Sequence, residues 1–200
     1  MGPPAATIVI PTRDRPGYLD VALASLVPQA QAAGAELLVV LDGPDPASAA
    51  IARRHGARVV TLPRPRGLNA ARNAGVEAAT GDVIAFVDDD VRARPGWLRA
   101  LLAAAAATPE RDVFTGPIHA VLEGGGPRAC GREDPPITAF DAGAADRDVA
   151  VAWGANLAIR RAAFETVGRF DEAIHGGGDE EEWLARYRGT GGRIRYVAAA

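Results

Sequence analysis

Val83-Ile84-Ala85-Phe86-Val87-Asp88-Asp89-Asp90 decides the fold of this chain. Five apolar residues, bounded by Gly81-Asp82 before and by acids after, read as a buried strand, because the run is short and rich in β-formers. Three carboxylates at its end cannot sit in an apolar environment without partners, since desolvated anions are very costly. A divalent cation or solvent supplies such partners, and open α/β sheets bind ligands at the carboxyl ends of their strands. The stretch therefore points to a metal site for a phosphate-bearing substrate.

A rhythm of strand and helix leads up to it. Thr7 to Ile10 reads as a first strand stopped at Pro11-Thr12, and a helix follows from Pro16 or Gly17 to Gln31. Glu36 to Leu41 is a second strand ending at Asp42-Gly43, Pro46 to His55 a helix, and Arg58 to Leu62 a third strand. Asn69 to Ala79 reads as a helix with Gly81 as its C-terminal cap. A further helix runs from near Pro95 to just before Thr108-Pro109. This alternation predicts an α/β fold with a mostly parallel sheet and right-handed crossovers. Beyond about residue 112 the rhythm breaks. Asp112 to Gly116 offers a strand, but Gly124 to Pro136 is rich in Gly and Pro, as in functional lids or disordered loops. The pattern resumes at Ala150-Val151-Ala152-Trp153 and Asn156 to Arg160. Helices run from Arg161 to Val167 and from Asp179 to Tyr187, then a last strand from Arg193 to Val197.

Two hundred residues suit one domain with a sizeable core, and two would be a squeeze. A net charge of −3 leaves no basic footprint and argues against nucleic acid as a partner. The single Cys130 excludes an internal disulfide and a cysteine zinc site. No apolar run approaches the ~20 residues of a membrane span, and the N-terminus lacks the layout of a signal peptide. The expectation is a cytoplasmic protein, with peripheral work at the inner face of a membrane left open.

Three early strands end in polar residues, Thr12-Arg13-Asp14, Asp42 and the acid triplet, which a parallel sheet gathers on one rim. Asp88 and Asp90 point the same way if the chain stays extended, which makes them the metal-ligand candidates for Mg²⁺ or Mn²⁺. Asp89 points the other way, or reaches a ligand only if the chain turns. Gly67 opens a helix whose first N–H groups favour anions, and Arg72 either reaches a phosphate or nucleobase from its first turns or is a solvated surface arginine. Asp179 with Glu182 fits an N-cap and capping box, and Glu182 with Arg186 an i,i+4 pair. Those roles leave Glu180 and Glu181 unassigned, and a carboxylate beside others has a raised pKa that suits a general base. His55 reads as a solvated helix end, while His175 lies in the glycine loop before the acidic helix, where substrate contact is open. Trp153 and Trp183 are more often core residues than sugar platforms.

In order and spacing, these segments resemble the family 2 glycosyltransferases of the GT-A fold, from about Thr7 to Val197. Thr7-Ile8-Val9-Ile10-Pro11-Thr12-Arg13-Asp14-Arg15 is similar to the family's first strand and nucleotide loop, and Glu36 to Asp42-Gly43 to its second strand. Gly67 to Gly75 with Ala71-Arg72-Asn73, then Gly81 to Asp90, resemble the central signature that ends in a DxD metal motif. Pro95-Gly96-Trp97-Leu98 resembles the family's segment after that motif, and Trp153-Gly154-Ala155-Asn156 to Asp171 its acceptor-side segment.

The resemblance implies a single Rossmann-like domain over 1–200. A nucleotide-sugar half over about 1–110 is joined to an acceptor-side α+β extension over about 111–200. It implies transfer of a sugar from a nucleoside-diphosphate sugar to a glycan, lipid-linked or small-molecule hydroxyl, with inversion, as in cell-wall or polysaccharide biosynthesis. By the same carry-over, Pro11, Thr12, Arg13, Arg15, Gly67 and Asp89 belong to the nucleotide-sugar site. Asp42 contacts the base, Arg72 approaches the nucleotide, and Asp88 with Asp90 hold the metal. Trp153, Gly154, Asn156 and His175 fall on the acceptor side. The family's acidic pair aligns with Asp179-Glu180 in swapped order, so Glu180 falls on the base position, with Asp179 as the alternative. Many relatives continue past the last strand to a His near the metal or diphosphate. Nothing after Val197 supplies one here, so a fragment or a reduced enzyme is expected.

Two rivals remain. An aspartate-nucleophile phosphatase also places DxD after a strand, but wants Thr or Val where Arg92 stands. A non-catalytic module that holds a sugar nucleotide or glycan fits the swapped acids and the short C-terminus.

Overall fold

A computed structural model of the chain describes residues 5–121, 139–175 and 179–200, apart from the side chain of Asp179. The order is β1 (Ala6–Thr12), α1 (Pro16–Ala33), β2 (Glu36–Leu41), α2 (Pro46–Arg54), β3 (Arg58–Thr61), α3 (Leu68–Ala78) and β4 (Val83–Phe86). Next come α4 (Trp97–Ala107), β5 (Val113–Thr115), β6 (Arg147–Val149), a 3₁₀ turn (Gly154–Asn156) and β7 (Leu157–Arg160), and finally α5 (Arg161–Val167), α6 (Asp179–Gly189) and β8 (Ile194–Tyr196). The Gly124 to Pro136 stretch lies outside the described residues.

Local chemistry accounts for the helix ends. Pro16 opens α1, and Gly34 closes it in the left-handed conformation at φ 60°. Asp45 caps α2 by accepting the Ser48 N–H at 3.0 Å, with Pro46 in the first turn. Gly81, read from sequence as the cap of α3, does something else. Ala79 ends that helix in an extended conformation, and a Cβ on Gly81 would lie 2.4 Å from the carbonyl carbon of Ala6. Gly81 is glycine because β1 passes against it.

The eight strands form one sheet in the order β3-β2-β1-β4-β7-β5-β8-β6. The first four strands are parallel. The second half is mixed, with β7 antiparallel to β4 and β5, β8 parallel to β5, and β6 antiparallel to β8. Ala150 to Trp153 is not a strand; the extended segment there is Arg147–Val149, which edges the sheet against β8. The expected extension is thus a continuation of the same sheet.

Both faces of the sheet are covered, so its central strands are apolar throughout. Ile8, Ile10, Val39, Leu41 and Ala85 face a layer that contains Leu19, Leu23 and Leu26 of α1 and Leu98 and Leu101 of α4. Val9, Leu38, Val40, Ile84 and Phe86 face Ala70, Ala71 and Val76 of α3, with Phe164 and Trp183 beyond. Trp183 is core, stacked on Tyr187 and in ring contact with Phe164 and Phe170. His55 is not a solvated end: its Nε2 lies 2.6 Å from Asp20 Oδ1, joining α2 to α1. None of the described helices is long and apolar enough to cross a membrane.

Candidate active site

Strand order places the site. From β1 the chain moves outward to β2 and β3, and β4 returns on the other side of β1, so the carboxyl ends of β1 and β4 flank a topological switch point. A cleft of about 290 Å³ opens there. Pro11, Thr12, Arg13 and Arg15 line it from the end of β1, Asp42 from β2, Leu68 and Ala71 from α3, and Asp88, Asp89 and Asp90 from β4. The three polar strand ends expected on one rim are thus on one cleft.

The acid triplet divides its work. The chain leaves strand geometry after Phe86 and turns at Asp89-Asp90. That turn takes Asp89 back to β1, where its Oδ2 accepts the Thr12 hydroxyl at 2.6 Å and its Oδ1 pairs with Arg15 Nη1 at 2.8 Å. Asp89 is 5% exposed and serves as a brace between the two strand ends. Asp90 is exposed and shares the Arg15 guanidinium at 3.2 Å. Asp88 feels both of them and Glu180, and its pKa is pushed up to about 6. Burial is the main cause; Arg72 opposes it, while Asp90, Glu180 and Asp89 add repulsion.

A divalent cation fits this arrangement. Among the described residues no group of three or more His, Cys, Asp or Glu side chains is set to hold a metal alone. Asp88 and Asp90 offer two carboxylates, and hard cations such as Mg²⁺ complete their shell with phosphate and water oxygens. The upward shift at Asp88 comes mainly from burial, with smaller repulsion from neighbouring acids, and a cation would offset both.

The loop that enters α3 is tied down by Asp42. Its Oδ1 accepts the Arg66 N–H at 2.6 Å and its Oδ2 the Gly67 N–H at 3.0 Å, which fixes the chain entering α3. Each carboxylate oxygen retains a further acceptor position. Gly67 takes φ 98°, and a Cβ there would meet His175 Nδ1 at 3.3 Å, so exposed His175 stands beside this loop.

Arg72 is not a surface residue. It is 2% exposed, with its guanidinium carbon 5.7 Å from the Phe170 ring centroid, and it is absent from the cleft lining. Its Nη1 lies 3.4 Å from Glu180 Oε2, while Glu180 Oε1 accepts the Gly154 N–H at 3.0 Å. Asp179 begins α6, but its side chain, and with it the expected cap, lies outside the described residues. Glu182 pairs with Arg186 at 2.6 Å as the i,i+4 spacing suggests.

On the acceptor side, Trp153 is half-buried with its ring 4.7 Å from that of Phe140. Asn156 is not available to an acceptor. It is 5% exposed, its Oδ1 accepts the Trp97 indole N–H at 2.9 Å and its Nδ2 donates to the Pro117 carbonyl at 3.2 Å. Gly154 is buried and reaches the site through its backbone alone.

Sequence reasoning missed two contributors. Leu68 is 43% exposed in the cleft wall, and its signal was an apolar residue directly after the loop glycine. Glu172 joins Arg66 and Asn73, holding the chain before α6 against α3. An isolated acid in a loop carries no local sign of such a partner.

Comparison with known proteins shows the family and the fold. The model of "Glycosyl transferase family 2" matches residues 7–168. The chain is 32% identical over 203 residues to the pre-mycofactocin glycosyltransferase of Mycobacterium tuberculosis (strain ATCC 25618 / H37Rv), an alignment that covers 97% of this chain and 41% of that protein. It therefore spans less than half the length of that curated relative. Among solved structures, S. aureus TarS 1-349 in complex with UDP-GlcNAc superposes with a TM-score of 0.71 at 19% identity, over 99% of this chain and 56% of that one. The mannosyltransferase PcManGT from Pyrobaculum calidifontis, in complex with GDP-Man and Mn²⁺, gives a TM-score of 0.68 at 15% identity, over 98% and 57%. Identities this low show a shared fold, whereas the match over residues 7–168 covers most of the chain. By that match the chain belongs to glycosyl transferase family 2.

Proposed function

We propose that this chain transfers a sugar from a nucleoside-diphosphate sugar to an acceptor hydroxyl with inversion at the anomeric carbon. The observation that carries the reading is the meeting of Asp88, at the end of β4, with Glu180 of α6 through the buried Arg72. Acids 92 positions apart (180 − 88) thereby come within each other's field, with Asp88 in the wall of an open cleft. The relatives' substrates fit the reading, since the solved neighbours bind UDP-GlcNAc and GDP-Man.

In this reading Asp42 and the N–H groups at the start of α3 hold the nucleotide, and Asp88 and Asp90 hold Mg²⁺ or Mn²⁺. A cation held there would offer Lewis-acid stabilisation of charge on the leaving diphosphate. Glu180 takes the proton of the acceptor hydroxyl. The acceptor oxygen then bonds to the anomeric carbon as the bond to the diphosphate oxygen breaks, and the nucleoside diphosphate leaves. Glu180 suits the base role because Arg72 and Gly154 fix its orientation before an acceptor arrives.

A thermal-shift panel of UDP, GDP and dTDP, each with and without Mn²⁺, tests the donor half. A ligand at 100 times its Kd adds about 2.7 kcal/mol, which for a chain of this size raises Tm by roughly 5–10 °C. No stabilisation by any of them with metal present overturns the reading. Glu180→Gln tests the other half: stabilisation that persists without turnover assigns Glu180 the base, whereas unchanged turnover removes it. Binding without transfer or hydrolysis in the native chain favours a non-catalytic module.

A further inference from the structure

Arg72 is among the largest fully buried side chains of the protein, and it carries a charge. Buried guanidinium groups are costly unless they are held by partners of fixed geometry. Three of its described neighbours bear on its place. Phe170 offers its ring face at 5.7 Å, Glu180 an oxygen at 3.4 Å, and Gly154 its bare Cα. There is no room for a side chain on that side: a Cβ on Gly154 would lie 1.9 Å from Arg72 Nη2 and 2.9 Å from Cζ. Gly154 also donates its N–H to Glu180 Oε1 at 3.0 Å. Its absent side chain therefore makes room for the guanidinium, while its backbone anchors the other oxygen of the same carboxylate.

We propose that Arg72 is a positioning residue that sets the orientation of the Glu180 carboxylate, with Gly154 as the space that admits it, and that it does not contact the donor nucleotide. The proposal rests on the transferase reading of the site. It departs from the expectation that Arg72 approaches the nucleotide, because that side chain is buried, is not part of the cleft lining and pairs with Glu180.

The two roles separate in kinetics. A nucleotide contact acts on donor binding, whereas a group that aims the base acts on turnover at saturating donor. A displacement of about 1 Å at a reacting group costs about 10²-fold in rate. Arg72→Lys keeps the charge but loses the fork, and Gly154→Ala keeps Arg72 but pushes it from its place. Both are expected to lower kcat by about 10- to 100-fold, with nucleoside-diphosphate affinity, read by Mn²⁺-dependent thermal shift, within about twofold of the native chain. Arg72→Met is expected to lose more than Arg72→Lys, which shows rescue by the conserved charge.

Circular dichroism establishes that each variant is folded, and Gly154→Ala serves where an Arg72 variant is not. A loss of nucleoside-diphosphate affinity in Arg72→Lys with kcat retained overturns the proposal and returns Arg72 to the donor. Unchanged kcat in folded Gly154→Ala overturns it as well. If the native chain neither binds nor turns over any sugar nucleotide, the transferase reading itself has failed. An active native chain with either overturning result removes only the role of Arg72.

Discussion

Thr12, at the end of β1, donates its hydroxyl to the carboxylate of Asp89, 77 positions further along the chain, at 2.6 Å. This bond and the Arg15 ion pair draw the loops after β1 and β4 together over the switch point of the sheet. They also give both oxygens of Asp89, in the middle of the acid triplet, a structural partner.

Asp89 and its neighbour Asp90 are therefore expected to respond differently to substitution. Asp89→Ala strands the Thr12 hydroxyl and lowers stability without ligand by about 1–3 kcal/mol, read as a fall in the urea midpoint. Asp90→Asn loses only a half-exposed pair with Arg15, worth about 0–1 kcal/mol. It leaves the unliganded midpoint nearly in place and removes most of the Mn²⁺-dependent rise in Tm with a nucleoside diphosphate. An Asp90→Asn protein that keeps that rise excludes Asp90 as a ligand.

Glu36 contributes to acid stability at the opposite end of the sheet. Burial by itself raises its pKa, but hydrogen bonds from Thr7, Thr80 and Arg58 outweigh it and bring the net value below the usual 4.5. A depressed carboxylate contributes stability above its unfolded pKa and loses it as pH falls through the lower folded value. Below about pH 4.5 the native chain is expected to lose stability with a slope that Glu36→Gln reduces. At pH 7 the same variant is less stable by about 1–3 kcal/mol. Equal acid slopes for the two proteins in urea titrations contradict the assignment.

Two glycines give opposite outcomes. Gly81→Ala places a methyl group 2.4 Å from the Ala6 backbone, and the strand cannot yield as a side chain does. The cost is about 1–3 kcal/mol. Gly17, in the first turn of α1, has nothing within 4 Å of the added carbon. Gly17→Ala is expected to stabilise by about 0.4–1 kcal/mol. Thermal unfolding of both variants checks the pair, and a stable Gly81→Ala rejects the close approach of β1.

Asn156 illustrates how a residue on the acceptor side can be structural. Asn156→Ala leaves the Trp97 indole N–H buried without its acceptor and is expected to cost about 1–3 kcal/mol. The loss appears in the denaturant midpoint and in the emission of Trp97. Acceptor KM in the folded fraction stays unchanged. A selective rise in KM with full stability returns Asn156 to substrate binding.

The fold was legible because its signals are local. The Val83 to Val87 run, the α1 periodicity and the Asp45-Pro46 start each depend on neighbours within a few residues. Segments with weak local patterns were read less well. Ala150 to Trp153 looks β-prone but forms no strand, and Gly81 punctuates the sequence like a cap although its constraint is a passing strand.

Alternating strands and helices, three polar strand ends and the carboxylates after β4 are all written in the order of the residues. The sequence also carried the family resemblance, through the order and spacing of those segments. Only the tertiary structure decided the partners: Asp89 with Thr12, Arg72 with Glu180, Asn156 with Trp97. The physical reason is that backbone periodicity is a property of adjacent residues, whereas the cost of a buried charge or polar group is met by whatever the strand order brings within about 3 Å. That order, β1 beside β4 and β4 beside β7, joins residues that no short stretch of sequence connects.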